Sequence, residues 1–341
     1  MAEVAVVGGG ILGLLSAREL LARGHRVSLF DMPQTRPPAS WAGGGILSPL
    51  YPWRYPAALT ALTEGALQAY QTLDDQLREA GFAGAGIHHC GMRVLDEADP
   101  SLALQWAADT GVSARQQGKD IWLPEVATLR NSRLLDGLRR WLVAAGVNLV
   151  EKEVHGIDVG ARRRVVTDEG GFAADRILIC AGAWSDALLR PLGIDLPLLP
   201  VKGQMLRYEG VNCPASVLLA SGGYIIPRGD GSLLVGSTVE PGEDDQLPTR
   251  DGARALVELA ARLWPALADH DPVAQWAGIR PGNERSIPWL GALPGLQGVF
   301  VACGHYRNGL VCAPRSAQLL ADLISDRAPR LDPQPYALPG V

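Results

Sequence analysis

Cysteine is scarce in this sequence of 341 residues, and its pattern argues against two classes of protein. The five cysteines are odd in number, lie far apart and include no pair separated by two residues. Disulfide-stabilised domains and zinc ribbons both need paired or closely spaced cysteines. We therefore expect reduced thiols, as in cytoplasmic proteins.

Long apolar runs and excess positive charge are also lacking. No stretch approaches the roughly 18 apolar residues that a membrane-spanning helix needs, and no basic segment with an apolar core precedes the first predicted strand. The formal net charge is −5, which gives no electrostatic reason to expect nucleic acid or an anionic membrane surface as a partner. We expect a cytoplasmic protein that binds neither.

Histidine is sparse as well, with six residues in the whole chain. The nearest approach to a metal-binding motif is His88-His89-Cys90. Adjacent ligands without a fourth partner at a suitable spacing make a poor zinc site, so we predict no bound metal.

The start of the chain carries a glycine pattern between two apolar runs. Residues 4–7 are apolar and lead directly into Gly8-x-Gly10-x-x-Gly13, and a second apolar run ends in Asp31. In this pattern the first glycine permits a tight turn, the second lets the backbone approach a pyrophosphate, and the third lets the helix pack on the strand. The helix N-terminus attracts the phosphates. The pattern predicts a dinucleotide site, with Asp31 accepting hydrogen bonds from the ribose.

A second glycine-rich stretch follows a turn-rich segment, residues 33–40. Three consecutive glycines, Gly43, Gly44 and Gly45, are unsuited to a helix or a central strand. They are expected where a ligand or another backbone approaches closely. The aromatic segment 51–55 is then either an active-site lid or a packed turn.

Length and element order predict two domains in an α/β fold. Nucleotide-binding patterns at the start, middle and end alternate with strand-rich segments. We predict a Rossmann-type domain made of residues 1–80, 133–195 and 275–341. Residues 81–132 and 196–274 are predicted to form a discontinuous α+β substrate domain on a mostly antiparallel sheet.

Apolar spacing predicts three long helices, at residues 56–80, 132–145 and 250–263. A further helix is predicted at 313–324. Asp186 is expected to cap a short helix after residues 182–185.

Six sequence blocks together resemble the D-amino acid oxidase family of FAD-dependent oxidoreductases over nearly the whole chain. The resemblance is greatest to its glycine oxidase branch, which serves thiamine biosynthesis. Besides the opening glycine pattern, the blocks are Ser40-Trp-Ala-Gly-Gly-Gly-Ile46, Ala181-Gly-Ala-Trp-Ser185, Pro200-Val-Lys-Gly-Gln204 with Gly223-Tyr-Ile-Ile-Pro-Arg228, Ala277-Gly-Ile-Arg-Pro281, and Gly304-His-Tyr-Arg-Asn-Gly309.

The resemblance implies a noncovalent FAD and oxidation of the α-amine of a small amino acid. Glycine is the favoured substrate, and sarcosine and small D-amino acids are further candidates. Hydride passes to flavin N5, and O2 is reduced to H2O2. A flavin carries the hydride step itself, so no side-chain base is required. The family also suggests a homo-oligomer.

The resemblance also implies the residues of the site. Arg280 is expected to bind the substrate carboxylate, since the planar guanidinium binds two oxygens at once. Arg307 and Tyr224 are expected to line the substrate pocket, and His305 to contact the flavin through its backbone rather than act as a base. The predicted cofactor-binding residues are Gly8, Gly10, Ile11, Leu12, Gly13, Asp31, Ser40, Gly43, Gly44, Gly45, Val154, Gly182, Gly304, His305, Tyr306, Arg307, Asn308, Gly309 and Leu310.

Three other functions remain open on the sequence alone. One is an FAD-dependent amino acid dehydrogenase that passes electrons to a quinone or another acceptor. The others are a dehydrogenase that binds NAD through the first glycine pattern, and a noncatalytic flavin-binding subunit of a larger oxidase.

Overall fold

The computed structural model describes residues 1–32 and 38–338. Part of the predicted turn-rich segment, residues 33–37, lies outside the described residues. Within the described ranges the chain forms twenty β-strands and nine α-helices, and no helix there is long and apolar enough to cross a membrane.

The elements have the following bounds. The strands are β1 (Glu3–Val7), β2 (Arg26–Phe30), β3 (His88–His89), β4 (Met92–Val94), β5 (Arg115–Gln117), β6 (Asp120–Leu123), β7 (Ala127–Thr128), β8 (Asn148–Val150), β9 (Gly156–Asp158), β10 (Arg164–Thr167), β11 (Gly170–Ala173), β12 (Arg176–Ile179), β13 (Leu198–Tyr208), β14 (Val217–Ala220), β15 (Gly223–Pro227), β16 (Leu233–Gly236), β17 (Glu240–Pro241), β18 (Ala274–Asn283), β19 (Trp289–Ala292) and β20 (Val299–Cys303). The helices are α1 (Ile11–Ala22), α2 (Ala39–Ala42), α3 (Ala57–Thr63), α4 (Ala66–Glu79), α5 (Pro100–Thr110), α6 (Asn131–Ala144), α7 (Ser185–Leu189), α8 (Arg250–Leu263) and α9 (Gly309–Ile324).

The first sheet has the order β19-β20-β12-β1-β2-β8 and is parallel except for the edge pair β19–β20. Its central strand β1 is apolar and almost completely buried, as expected for a strand covered on both faces. Helices α1 and α9 pack together on one face. This is the doubly wound arrangement that binds a ligand at the carboxyl ends of its strands.

The second sheet has nine strands and is mostly antiparallel. Its order is β17-β13-β16-β15-β14-β4-β6-β5, with β18 also paired to β13. One face packs on α8 through Leu256 and Leu259. The other face carries Met205 and Tyr224. The predicted fold class, α/β with a mostly antiparallel second sheet, is confirmed.

Strand β18 belongs to the second sheet. It pairs with β13 over ten residue pairs, from Leu198–Asn283 to Arg207–Ala274. The sequence-based division places residues 275–341 in the nucleotide-binding domain, but the chain rejoins the first sheet at β19. By strand pairing we place that boundary after Asn283.

Two predicted helices differ from the observed ones. Residues 56–80 form α3 and α4, separated by Glu64 and by Gly65, whose φ is +69°. The last helix, α9, begins at Gly309 rather than near residue 313. The predicted helices at 132–145 and 250–263 correspond closely to α6 and α8.

Candidate functional site

A cavity of about 650 Å³ lies between the carboxyl ends of the first sheet's strands and the face of the second sheet that carries Tyr224. Most of the predicted site residues line it. They are Gly8, Gly10, Ile11, Leu12, Asp31, Ser40, Gly43, Gly44, Gly45, Val154, Gly182, Tyr224, Arg280, His305, Tyr306, Arg307, Gly309 and Leu310. Because both ends of the chain and its middle contribute, the cavity exists only in the folded protein.

One end of the cavity is the turn between β1 and α1. Gly8 has a φ of +108°, and a Cβ there would lie 2.5 Å from the Cys180 carbonyl oxygen. Helix α1 begins at Ile11 with no acidic residue in its first turn and no side-chain cap from Gly10. The Ser40 hydroxyl accepts the Ile11 N–H at 3.0 Å. This helix end therefore suits a pyrophosphate.

Asp31 is fixed at the end of β2. Its carboxylate accepts the Gly9 N–H at 3.0 Å and pairs with Arg139 at 2.6 Å. A Cβ at Gly9 would overlap the Asp31 side chain. Gly9, which the sequence analysis passes over, is therefore needed to bring Asp31 against the glycine turn. Val154 lines the same end of the cavity.

The glycine segment Gly43–Gly45 forms a wall in the middle of the cavity. Gly45 has a φ of +72°, and a Cβ there would overlap the Leu129 carbonyl. Asn131, at the start of α6, also lines the cavity and donates to the Ser40 carbonyl oxygen at 2.6 Å. Its Oδ1 is buried and has no hydrogen-bond partner among the described groups. An unpartnered acceptor of this kind is available to a donor on a ligand.

Arg280 projects from β18 and lies on the other side of the cavity. Its guanidinium donates to Ser237 Oγ at 2.6 Å and to the carbonyl oxygens of Lys202 and Thr238 at 3.3 Å. Burial lowers its pKa from the usual value, although the nearby Tyr224 hydroxyl acts in the opposite direction. None of the ion pairs in the described part of the chain includes Arg280.

Gly203 makes room for this arginine. It lies two positions along β13 from Val201, the residue that pairs with Arg280, and a Cβ there would overlap the guanidinium. The sequence analysis includes Lys202-Gly203-Gln204 in one of its blocks. The glycine is needed because of the contact with Arg280, which lies 77 positions later in the chain. The position of Arg280 therefore depends on a second residue that the sequence alone does not single out.

Tyr224 and Arg307 complete this end of the cavity. Tyr224 is buried, and its hydroxyl lies 3.6 Å from Met205 Sδ. Arg307 is exposed at the rim, with its guanidinium 5.3 Å from the Tyr306 ring. Tyr306 has a φ of +49°, a backbone conformation that non-glycine residues adopt at a cost and often at functional sites.

His305 is unsuited to proton transfer. Burial lowers the pKa of its imidazole to about 3, so the ring is neutral at ordinary pH. Its Nε2 lies 3.1 Å from Ser316 Oγ on α9. The residue therefore anchors the start of α9 to the loop that borders the cavity.

Three of the predicted cofactor residues do not line the cavity. Gly13 instead allows close packing, because a Cβ there would overlap the Gly8 carbonyl. Gly304 has a φ of +78° and receives a hydrogen bond from Asn283. Asn308 is buried just before α9, and its N–H donates to the His305 carbonyl. These three residues therefore fix the backbone around the cavity without lining it.

The aromatic segment 51–55 and the sequence His88-His89-Cys90 lie outside the cavity. Residues 51–55 form a packed turn, in which Trp53 is buried and Arg54 pairs with Glu97 at 2.8 Å. In the described residues no group of histidine, cysteine and carboxylate side chains could hold a metal.

The prediction for Asp186 is wrong. It lies in the first turn of α7 and pairs with Arg190 at 2.6 Å, and no side chain caps that helix. The ion pair spans one helical turn through Oδ2, and Asp186 Oδ1 accepts no hydrogen bond from the described groups.

Two buried thiols also border the cavity. Cys180 follows β12 and Cys303 ends β20, and both line the cavity wall. Burial raises the pKa of each thiol.

The described residues fit a dinucleotide with an attached ring system. The glycine turn and the N-terminus of α1 suit the phosphates, Asp31 suits a ribose, and the glycine wall leaves space for a flat group. Arg280 lines the same cavity. The cavity is also of the size that holds a ligand largely out of water.

Comparisons with known proteins agree with this geometry. A model of the family described as FAD dependent oxidoreductase matches residues 3–323. The chain is similar to the glycine oxidases of Pseudomonas aeruginosa (45% identical, 99% of each chain covered) and Pseudomonas putida (42% identical, 99% of this chain and 98% of that one). Its fold is similar to the crystal structure of glycine oxidase from Geobacillus kaustophilus, with a TM-score of 0.90, 30% identity, and 99% and 98% of the two chains covered.

Proposed function

Because the chain belongs to the FAD-dependent oxidoreductase family and is an FAD-dependent amino acid oxidase, we propose that it deaminates small amino acids with glycine as the favoured substrate. Sarcosine and small D-amino acids are further substrates in this proposal. Bound FAD supplies flavin N5 as the hydride acceptor and passes the electrons to O2, which gives H2O2. The similarity to glycine oxidases supports a place for this reaction in thiamine biosynthesis.

The partly buried guanidinium of Arg280, which forms no ion pair with the described residues, is the observation that carries the proposal. It lines the cavity, and its described partners are a hydroxyl and two carbonyl oxygens, without a carboxylate. A buried charge of this kind is unfavourable unless a counter-ion arrives. A substrate carboxylate supplies that charge and fits the planar fork.

The surroundings of Arg280 favour a small substrate. Gly203 and Gly44 present no side chain to the cavity, and the Tyr224 ring closes the space between the glycine wall and Arg280. With the carboxylate on Arg280, the α-carbon lies close to its anchor, so the amine and α-hydrogen take a defined orientation. This is positioning catalysis, in which the protein binds and orients.

Proton transfer does not require a side chain in this proposal. His305, which lines the cavity, is buried and neutral and contacts Ser316. The substrate amine must therefore be neutral when the hydride leaves, and it loses its proton to solvent.

The remaining site assignments belong to the same proposal. We propose that Gly8, Gly10 and the start of α1 bind the pyrophosphate, that Asp31 binds the ribose and that Val154 borders the adenine. Ser40, the glycine wall and residues 304–310 are proposed to enclose the flavin, directly or by shaping the loops around it. A homo-oligomer and a cytoplasmic location also remain proposals.

One experiment tests the reaction. The purified protein is examined by visible spectroscopy, and peroxide release is measured in air with glycine, sarcosine, D-alanine and D-proline. We expect a flavin spectrum and the highest kcat/KM with glycine. A flavin that bleaches with amino acid but releases little peroxide would favour the dehydrogenase. Protein that binds no flavin even after addition of FAD would contradict the proposal.

A further inference from the structure

Arg228 is a partly buried cation outside the set of residues that line the cavity. Its guanidinium donates to the Leu129 carbonyl oxygen at 2.5 Å and to the Gly44 carbonyl oxygen at 2.9 Å. None of the ion pairs in the described residues includes it, and burial lowers its pKa to about 10. The neighbouring pair Arg130–Asp230 lies nearer the surface. The guanidinium of Arg228 therefore binds two main-chain carbonyl oxygens instead of a carboxylate.

The Gly44 carbonyl belongs to the segment Gly43–Gly45, whose conformation is not fixed by side-chain packing of its own. Three consecutive glycines have no side chains to pack, and glycine is the most flexible residue in the backbone. The segment is bound by the Leu129 N–H, which donates to the Gly45 carbonyl at 2.8 Å, and by Arg228. Arg228 also donates to the Leu129 carbonyl oxygen, so it links the glycine segment to Leu129.

Tyr224 contacts the same glycine segment from β15. A Cβ built on Gly44 would lie 3.3 Å from the Tyr224 ring and 3.6 Å from its hydroxyl. Arg228 follows β15 directly, four residues after Tyr224, a spacing that places both side chains on one face of an extended chain. One strand therefore presents the ring that touches the segment and the guanidinium that fixes it.

Tyr224 also reaches the substrate anchor, since its hydroxyl lies near the Arg280 guanidinium. The position of Gly44 against Tyr224 therefore determines how far the glycine wall lies from Arg280. A small substrate has to fit in that gap.

We propose that Arg228 is a positioning residue that sets the width of the substrate subsite by holding Gly44 against Tyr224. The inference rests on the proposed function, because it assigns the subsite to a small amino acid. Without Arg228 the glycine wall is free to move outward, so the enzyme selects less strongly for glycine over bulkier amino acids.

Two variants test this, Arg228→Met and Arg228→Lys, in the FAD-loaded enzyme. Arg130→Gln is the matched control, because it removes a neighbouring arginine that does not bond to Gly44. The readouts are flavin content, the melting temperature, amide hydrogen exchange of a peptide covering residues 43–47, and kcat and KM for glycine and D-proline.

For Arg228→Met we expect faster exchange in residues 43–47, a higher KM for glycine, and a rise of about tenfold in the ratio of kcat/KM for D-proline to that for glycine. Arg228→Lys should bring the ratio part of the way back to the wild-type value, because the lysine ammonium can still donate to the Gly44 carbonyl oxygen. Arg130→Gln should match the wild type in exchange and in the ratio.

Unchanged exchange in residues 43–47 would overturn the inference, and so would a lower melting temperature with an unchanged substrate ratio. If Arg228→Met does not fold, Arg228→Lys decides by the same readouts. The proposed function fails separately, when the wild-type enzyme oxidises none of the amino acids. The exchange experiment still reports on Arg228 in that case.

Discussion

Arg280 should dominate substrate affinity, because it is a partly buried cation that lines the cavity and has no carboxylate among its described partners. Arg280→Ala should weaken binding of the substrate carboxylate by about 2–5 kcal/mol, which corresponds to a rise in KM for glycine of roughly 30-fold or more. The measurement is steady-state kinetics together with the ratio of flavin to protein absorbance. Arg254→Ala, which removes an exposed arginine on α8, is the control. Loss of FAD with an unchanged KM would contradict the anchor role.

Gly203 offers a test that leaves Arg280 itself in place. Gly203→Ala should displace the guanidinium, because the new Cβ overlaps it. We expect KM for glycine to rise as in Arg280→Ala, with flavin content retained. Gly156→Ala is the matched control, since a Cβ at Gly156 meets no atom within 4 Å. Wild-type kinetics in Gly203→Ala would show that the arginine can move without loss of function.

His305 should make stability depend on pH. Its folded pKa of about 3 lies below the unfolded value of about 6.5. Below pH 6.5 the unfolded chain binds a proton that the folded protein does not bind, so stability falls as pH decreases from 6.5 toward 3. The slope approaches 1.4 kcal/mol per pH unit, as an order of magnitude. Chemical denaturation at pH 7.0 and 5.5 should show that lowering the pH reduces the unfolding free energy less in His305→Gln than in the wild type. An equal loss of unfolding free energy in both proteins would show that His305 does not cause the pH dependence. His89→Gln, which replaces an exposed histidine, is the control.

The sequence predicts the residues whose role follows from their own chemistry. Gly8 and Gly10 are recognisable because the pattern repeats a local geometry, and Arg280 is predicted because the block Ala277-Gly-Ile-Arg-Pro281 resembles the D-amino acid oxidase family. Gly203, Asn131 and Arg228 were not predicted as site residues. Their roles come from contacts with segments about 77, 91 and 184 positions away along the chain, and no local pattern records such contacts.

Among the elements, the break between α3 and α4 shows why a periodic pattern can overestimate helix length. The apolar positions stay roughly in phase from Leu59 to Leu73, so the stripe reads as one helix. Gly65 interrupts it with a positive φ, and a new helix begins at Ala66. Periodicity reports which face is buried, and it does not report the backbone angle at one residue.

Gly65→Ala tests this interpretation. The open space around Gly65 leaves only the backbone conformation to oppose a Cβ, so the substitution should cost about 1 kcal/mol of unfolding free energy. Urea denaturation measures the difference, with Gly156→Ala as the reference. If Gly65→Ala proves as stable as the wild type, the segment must accept one continuous helix.

In the molecule as a whole, the cavity joins the two sheets, and FAD binding should therefore stabilise the entire fold. For FAD-depleted protein we expect a rise of about 2.7 kcal/mol in unfolding free energy when FAD is present at 100 times its Kd. Thermal unfolding at increasing FAD concentrations measures it. Asp31→Ala should need more FAD for the same shift, and riboflavin, which lacks the nucleotide half, should stabilise less. A melting temperature independent of FAD would exclude a dinucleotide at this site.

The two-sheet organisation was predictable, but the assignment of β18 was not. The alternation of strand-rich and nucleotide-binding patterns predicts a second sheet inserted into the first domain. The partner of residues 274–283 is β13, more than 60 residues earlier in the chain. Pairing over that distance is set by the fold, so a boundary drawn from local pattern at residue 275 cuts through a strand.

The two thiols in the cavity wall have a consequence for the lifetime of the enzyme. An oxidase of the proposed type generates its own oxidant within reach of Cys180 and Cys303. Peroxide attacks the thiolate form of cysteine, and the burial that raises both pKa values keeps these sulfurs protonated. In the proposed oxidase, we therefore expect the packing around these two thiols to slow inactivation of the enzyme by its own peroxide.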